Sequence, residues 1–212
     1  MKHAYLVLAV IGAGLIAGCA NPGRSRDLAN PKVPAQVLAQ QVCSNCHGVA
    51  GTSVSPNFPN LAGQTRAYIV SQLREFKSHN RADPAGFEYM WGLSRSLTDE
   101  QIDGLAAYFS SQTPLHRPAE ADPAMAAEGK VIFTGGVPAK NVPACVTCHG
   151  GAGQGNETFP RLAGQHVDYI VKQLLVFQRT DERPKGAVMK VIVHDLDAGD
   201  IRKVAAYLQT LG

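Results

Sequence analysis

Four of the five cysteines fall in two frames of one pattern, Cys43-Ser-Asn-Cys46-His47 and Cys145-Val-Thr-Cys148-His149. Cys-x-x-Cys-His supplies two thiols that can form thioethers with the vinyl groups of a haem, and an imidazole that can ligate its iron from one face. Read alone, Cys-x-x-Cys also suits half of a zinc site or a thioredoxin-like redox pair. Two copies that both end in His favour covalent haem, and no βαβ pattern supports a thioredoxin. The expected cofactors are therefore two haem c groups, one on Cys43, Cys46 and His47 and one on Cys145, Cys148 and His149. No cysteine of the four is then left for a disulfide.

The opposite face of each iron needs a second ligand, and methionine is expected where electron transfer is the task, because thioether sulfur raises the potential. Beyond Met1 the chain holds Met90, Met125 and Met189. Met90 and Met189 stand at equivalent places, each shortly before the leucine, Leu97 or Leu196, that opens a last helix. They are the expected iron ligands together with His47 and His149. Met125 has no such counterpart and is read as packing. Pro59 and Pro160 follow the two histidines at a spacing that could bring a backbone carbonyl to the second ring nitrogen. His79, His116, His166 and His194 have no equivalents in the other copy and read as surface residues, His79 and His194 being the alternative ligands.

These residues are carried by a duplication that covers most of the chain. Cys43 and Cys145 are 102 positions apart, and Pro59-Asn-Leu-Ala-Gly-Gln64 returns as Pro160-Arg-Leu-Ala-Gly-Gln165 after 101. Tyr68-Ile69, Gln72-Leu73 and Phe76 return as Tyr169-Ile170, Gln173-Leu174 and Phe177, and Ala106-Ala107-Tyr108 as Ala205-Ala206-Tyr207. Each copy reads as an attachment motif, a loop, a helix, an irregular stretch with a methionine, and a final helix. Tyr68, Ile69, Leu73 and Phe76 lie at helical spacing, as do Ile102, Leu105, Ala106 and Phe109. Thr98-Asp-Glu-Gln101 is a capping box at the start of the last helix of copy one. Copy two opens with a helix near residues 124–133 and carries an extra loop from Gly135 to Pro143.

The chain has 212 residues and a formal net charge of +3, with basic residues scattered rather than clustered, which argues against nucleic acid as a partner. Met1-Lys2-His3 followed by an apolar run from Ala4 to Ala17 reads as a signal peptide, too short for the ~20 residues of a bilayer span. Leu15-Ile-Ala-Gly-Cys19 resembles a lipobox, which makes Cys19 the lipid anchor; ordinary cleavage after Ala20 is the alternative. The expected layout is a signal peptide over 1–18, a flexible tether over 19–34, domain one over 35–112, a Pro-rich linker over 113–123 and domain two over 124–212.

The order Cys43-x-x-Cys46-His47-Gly48, Phe58-Pro59-x-Leu61-Ala62-Gly63-Gln64, Tyr68, Gln72-Leu73, Met90 and Leu105-Ala-Ala-Tyr-Phe109, repeated in copy two through Ala205-Ala-Tyr207, resembles the cytochrome c4 family. The resemblance implies an all-α fold of two tandem class I cytochrome c domains related by internal duplication. It also implies His/Met ligation at both haems, domains packed about a pseudo-twofold axis, and a periplasmic location. The implied function is electron transfer, not enzymatic conversion, from the respiratory chain toward a terminal oxidase, with redox proteins such as a quinol-oxidising complex as partners. Two other functions remain open on sequence: a di-haem redox enzyme of peroxidase or thiosulfate dehydrogenase type, and a fixed cytochrome subunit of a larger complex. Copy one departs from the pattern in the aromatic run Phe87-Glu-Tyr-Met-Trp91. It also has Ala35 and Ala39 where copy two has Gly129 and Phe133.

Overall fold

The computed structural model describes residues 23, 25–115 and 121–212, so the signal segment, Cys19 and His116 lie outside it. In the first half, Ala35–Leu38 (α1) runs through a π-helical turn, Ala39–Cys43, into Ser44–His47 (α2). Arg66–Lys77 (α3) follows, then a second π turn, Gly86–Met90, that leads into Trp91–Ser94 (α4), and then Asp99–Ser110 (α5). The second half repeats the order with Pro123–Gly135 (α6), a 3-10 turn at Pro138–Lys140 and Val146–His149 (α7). It continues with Val167–Arg179 (α8), a 3-10 turn at Pro184–Gly186, Ala187–Val193 (α9) and Ala198–Thr210 (α10). Among the described residues there are only two isolated β-bridges and no strand, so the fold is all-α.

The helices start where side chains can satisfy their first amides. Thr65 accepts from the Tyr68 amide at the head of α3. Thr98 and Gln101 form the expected reciprocal box before α5, and Asp197 with Asp200 forms its counterpart before α10. Such a cap stabilises a helix by about 1 kcal/mol. Ile69 and Phe76 of α3 are buried, and Ile69 meets Ile102, Leu105 and Phe109 of α5. In the second half Ile170, Ile201, Val204 and Phe133 make the equivalent core.

The crossing of the opening and final helices explains the departure at Ala35. In the second half a Cβ on Gly129 would lie 1.9 Å from the Lys203 carbonyl oxygen, so only glycine allows α6 to cross α10 this closely. In the first half the small residue has moved to the final helix, because a Cβ on Gly104 would lie 2.5 Å from that of Ala35. Ala35 on the opening helix is thus matched by Gly104, and Gly129 by Lys203.

Three readings from sequence are corrected. The methionine-bearing stretches are helical turns rather than irregular chain, since Pro84 and Pro184 precede those turns or open them, where a missing amide costs little. The segment read as a flexible tether is docked at its end. Val33 is buried, and Gln101 Nε2 donates to the Asn30 and Val33 carbonyls, so residues 30–33 are held against the first half. His166 is not a free surface residue but half-buried between the halves: its Nε2 sits 3.1 Å from the Ser53 carbonyl in the other half.

The halves meet through reciprocal contacts. Gln64 donates to the Arg161 carbonyl (3.0 Å) and accepts from the Arg161 amide (2.7 Å). Gln165 donates to the Asn60 carbonyl (3.1 Å) and accepts from the Asn60 amide (2.9 Å). Because residue 64 matches 165 and residue 60 matches 161, each contact is returned by its counterpart, the signature of a pseudo-twofold interface. Deeper in, the guanidinium groups of Arg81 and Arg183 both reach Gln72 and Gln173, and Arg183 also donates to the Tyr68 hydroxyl.

Candidate functional site

Cys43 and Cys46 lie one helical turn apart at the junction of the first π turn and α2, with His47 next in the same turn. Cys145, Cys148 and His149 repeat this across the start of α7. Residues three and four apart share a helix face, so each motif presents two thiols and one imidazole together. Gly48 and Gly150 end these turns with positive φ. A Cβ on Gly48 would also sit 2.2 Å from the Thr52 carbonyl oxygen, which keeps the chain turning sharply away from the imidazole.

That turn brings the next loop back under the histidine. The Leu61 and Ala62 amides donate to the Gly51 carbonyl, and the Leu162 and Ala163 amides donate to the Gly153 carbonyl. The two prolines are thereby fixed, and His47 Nδ1 lies 2.9 Å from the Pro59 oxygen while His149 Nδ1 lies 3.0 Å from the Pro160 oxygen. A carbonyl can only accept, so Nδ1 carries the proton and Nε2 keeps its lone pair. Burial lowers both imidazole pKa values, against the smaller opposing pull of the proline carbonyl, so both rings are neutral at pH 7. A neutral imidazole with an oriented Nδ1–H is the form that ligates a metal through Nε2. The rings of Phe58 and Phe159 stand edge-on to the two imidazoles, each with centroids 6.3 Å away.

None of the four cysteines is in a disulfide, and burial pushes the Cys43 and Cys145 thiols up to about 11. This counts against a thioredoxin-like pair, whose attacking thiol is pulled down rather than up. Among the described residues no group of three or more His, Cys, Asp or Glu side chains is placed to hold a metal, whereas a structural zinc needs four ligands.

Met90 ends the second π turn and Met189 lies in the first turn of α9, both half-buried. Each is tied to the rest of its half. The Ser94 hydroxyl donates to the Met90 carbonyl at 2.6 Å, and Met189 packs on the second core. Further along the same segments, Lys77 Nζ of α3 donates to the Leu97 carbonyl (2.7 Å), and Gln178 of α8 donates to the Val193 and Leu196 carbonyls (2.7 Å each). Met125 lines a cavity of about 320 Å³ between the halves rather than the core. His79 is exposed and stacks on Phe87 and Trp91, and His194 is exposed beside Asp195.

The cytochrome c family matches residues 33–113 and 126–212, one match for each half. A cytochrome c4 of Stutzerimonas stutzeri is 38% identical over 179 residues, 80% of this chain and 84% of its own length. The solved structure of Acidithiobacillus ferrooxidans cytochrome c4 is 40% identical with a TM-score of 0.73, and the alignment covers 79% of this chain and 97% of that one. The chain belongs to the cytochrome c4 family. A more distant relative, 32% identical over 179 residues (82% of this chain, 81% of its own length), is named as a thiosulfate dehydrogenase electron acceptor in Stutzerimonas stutzeri strain A1501.

This chain is accordingly a di-haem electron-transfer cytochrome with two covalently attached haem c groups. The residues present fit that cofactor. Each motif offers two thiols outside any disulfide, a helical turn apart, and a neutral imidazole with its second nitrogen already engaged. Sequence reasoning missed the interface work of Gln64, Gln165, Arg81 and Arg183. The return of Gln at the end of a loop that differs only at Asn60 and Arg161 was the available signal, while the arginines sit in stretches of unequal length that hide their equivalence.

Proposed function

We propose that this cytochrome is a periplasmic electron carrier, with His47 and Met90 ligating the iron of the first haem and His149 and Met189 that of the second. The observation that carries this reading is the equivalence of the two sites. Both have the same histidine-to-proline carbonyl bond, the same edge-on phenylalanine and a methionine in a helical turn just before the final helix. When bound, each haem would supply a ferric/ferrous couple, and ligation by the Met90 or Met189 sulfur would favour its ferrous state. The protein's part is to hold the imidazole neutral and oriented, and Met90 and Met189 would be the residues that complete the hold on each haem. Two such sites suit carriage of electrons better than conversion of a substrate, which needs a vacant or exchangeable position on iron.

The proposed route runs from a quinol-oxidising complex to a terminal oxidase. The relative named as a thiosulfate dehydrogenase electron acceptor supports the carrier role and adds a thiosulfate dehydrogenase as a second class of donor. Membrane attachment is assigned to Cys19, lipidated at the start of the mature chain, on the strength of the lipobox-like Leu15-Ile-Ala-Gly-Cys19. Replacing Cys19 by Ser should move the protein from the membrane to the soluble fraction. A wild type already soluble, starting at Asn21, would contradict the anchor. For the route, the reduced protein should donate electrons to membranes containing the terminal oxidase and regain them from membranes oxidising quinol. Failure of both exchanges, with peroxide or thiosulfate consumed by the protein alone, would overturn the carrier role.

A further inference from the structure

One peptide group links each proximal histidine to the other half of the molecule. The carbonyl of the Pro59–Asn60 peptide faces His47 Nδ1 at 2.9 Å, and the N–H of that same peptide donates to Gln165 Oε1 at 2.9 Å. The Pro160–Arg161 peptide does the same in reverse, facing His149 Nδ1 at 3.0 Å and donating to Gln64 Oε1 at 2.7 Å. Both glutamines are buried, and each oxygen also accepts from the first amide beyond it, Thr65 or His166, which fixes its orientation. Each amide nitrogen in turn donates to the carbonyl of residue 161 or 60.

A peptide that donates from its nitrogen is polarised, and its oxygen becomes a stronger acceptor; hydrogen bonds in such a chain strengthen one another by roughly 10–30%. A stronger acceptor at Nδ1 gives the imidazole more anionic character and makes it a better donor to ferric iron, the effect by which outer partners of a ligating histidine tune a metal. We infer that Gln165 and Gln64 are crossed positioning residues: Gln165 of the second half tunes the haem held by His47, and Gln64 of the first half tunes the haem held by His149. This rests on the proposed ligation by the two histidines. Its consequence is that the potential of each haem depends on the interface being closed, so anything that shifts one half against the other changes both haems through the partner's glutamine.

The test uses the full holoprotein, with the two haems assigned by NMR and titrated by spectroelectrochemistry. In Gln165→Met the His47 haem should shift toward the ferrous form, its ferric-to-ferrous ratio at fixed potential falling about two- to fivefold, while the His149 haem moves less. Gln64→Met should give the mirror pattern, and it carries the test if the first variant fails to load both haems. Gln165→Glu keeps an acceptor oxygen and should restore the starting ratio or pass it. Equal shifts at both haems, a shift confined to the variant's own half, or the same shift for Met and Glu would reduce the glutamines to interface packing. If the His47 and His149 nitrogens of the unmutated protein lack the paramagnetic shifts of iron ligands, the ligation itself is wrong; if those shifts are present and the crossed pattern is absent, only this inference fails.

Discussion

Gly129 of α6 lies so close to Lys203 of α10 that a methyl group there would overlap the Lys203 carbonyl oxygen, at 1.9 Å from it. The contact is to backbone, which cannot rotate away. Gly129→Ala should therefore force the helices apart and destabilise the second half by about 1–3 kcal/mol, read as a fall in thermal midpoint of the holoprotein. Gly104→Ala meets the Ala35 Cβ at 2.5 Å, where a small shift of the one-turn α1 gives relief. Its cost should be smaller, and a larger cost at Gly104 than at Gly129 would count against this picture of the crossing.

Arg81 and Asp83 form a buried ion pair at the interface, with Nε 2.8 Å from the carboxylate. Both side chains are almost fully out of water, so removing one leaves an uncompensated charge. Asp83→Ala should cost about 3 kcal/mol in chemical denaturation. A loss below 1 kcal/mol would mean that Gln72 and Gln173 already satisfy the guanidinium.

Asp197 caps α10 and its carboxyl is held down at about 2, first by the Lys140 hydrogen bond and then by the Asp200 amide. The folded value lies below the ~3.9 of a free aspartate, so its stabilising effect is present above that pH and fades as pH falls through about 2. Lys140→Met should raise the carboxyl toward the ordinary range, measured by carbon NMR of the Asp197 carboxyl. No movement would assign the shift to the cap amides alone.

Gln178 pins the segment between Met189 and α10 through the Val193 and Leu196 carbonyls. Each bond contributes about 1 kcal/mol, so Gln178→Leu should raise the population with Met189 detached by about five- to thirtyfold. Faster cyanide binding to the oxidised second haem, with the first unchanged, is the expected result. Equal acceleration at both haems would point to a general loosening.

The fold and the haem cofactor were legible because each leaves a local signature: Cys-x-x-Cys-His is contiguous, and the helix periodicity around Ile69 and Ile102 is set by which side chains face a core. The equivalence of Met90 and Met189 was legible only through the duplication, since a single methionine looks like core filler. The helical form of the methionine segments was hidden because proline and glycine are general signals of a break, whereas Pro84 and Pro184 stand at the start of turns, where proline does not interrupt the helix. Interface roles were hidden for a different reason. Gln64 and His166 look like ordinary loop polar residues until the other half is placed against them, and Val33 looks like part of a tether until Gln101 holds its carbonyl.

The central claim is that both irons are closed by methionine. Far-red and near-infrared absorption with magnetic circular dichroism of the oxidised holoprotein tests it most directly, on the wild type and on Met90→Ala and Met189→Ala. The account predicts two low-spin His/Met haems in the wild type, with half of the sulfur-to-iron band lost in each variant together with a lower potential and new cyanide binding at the altered haem alone. A wild type lacking that band at either haem, or a band unchanged by either substitution, would contradict it.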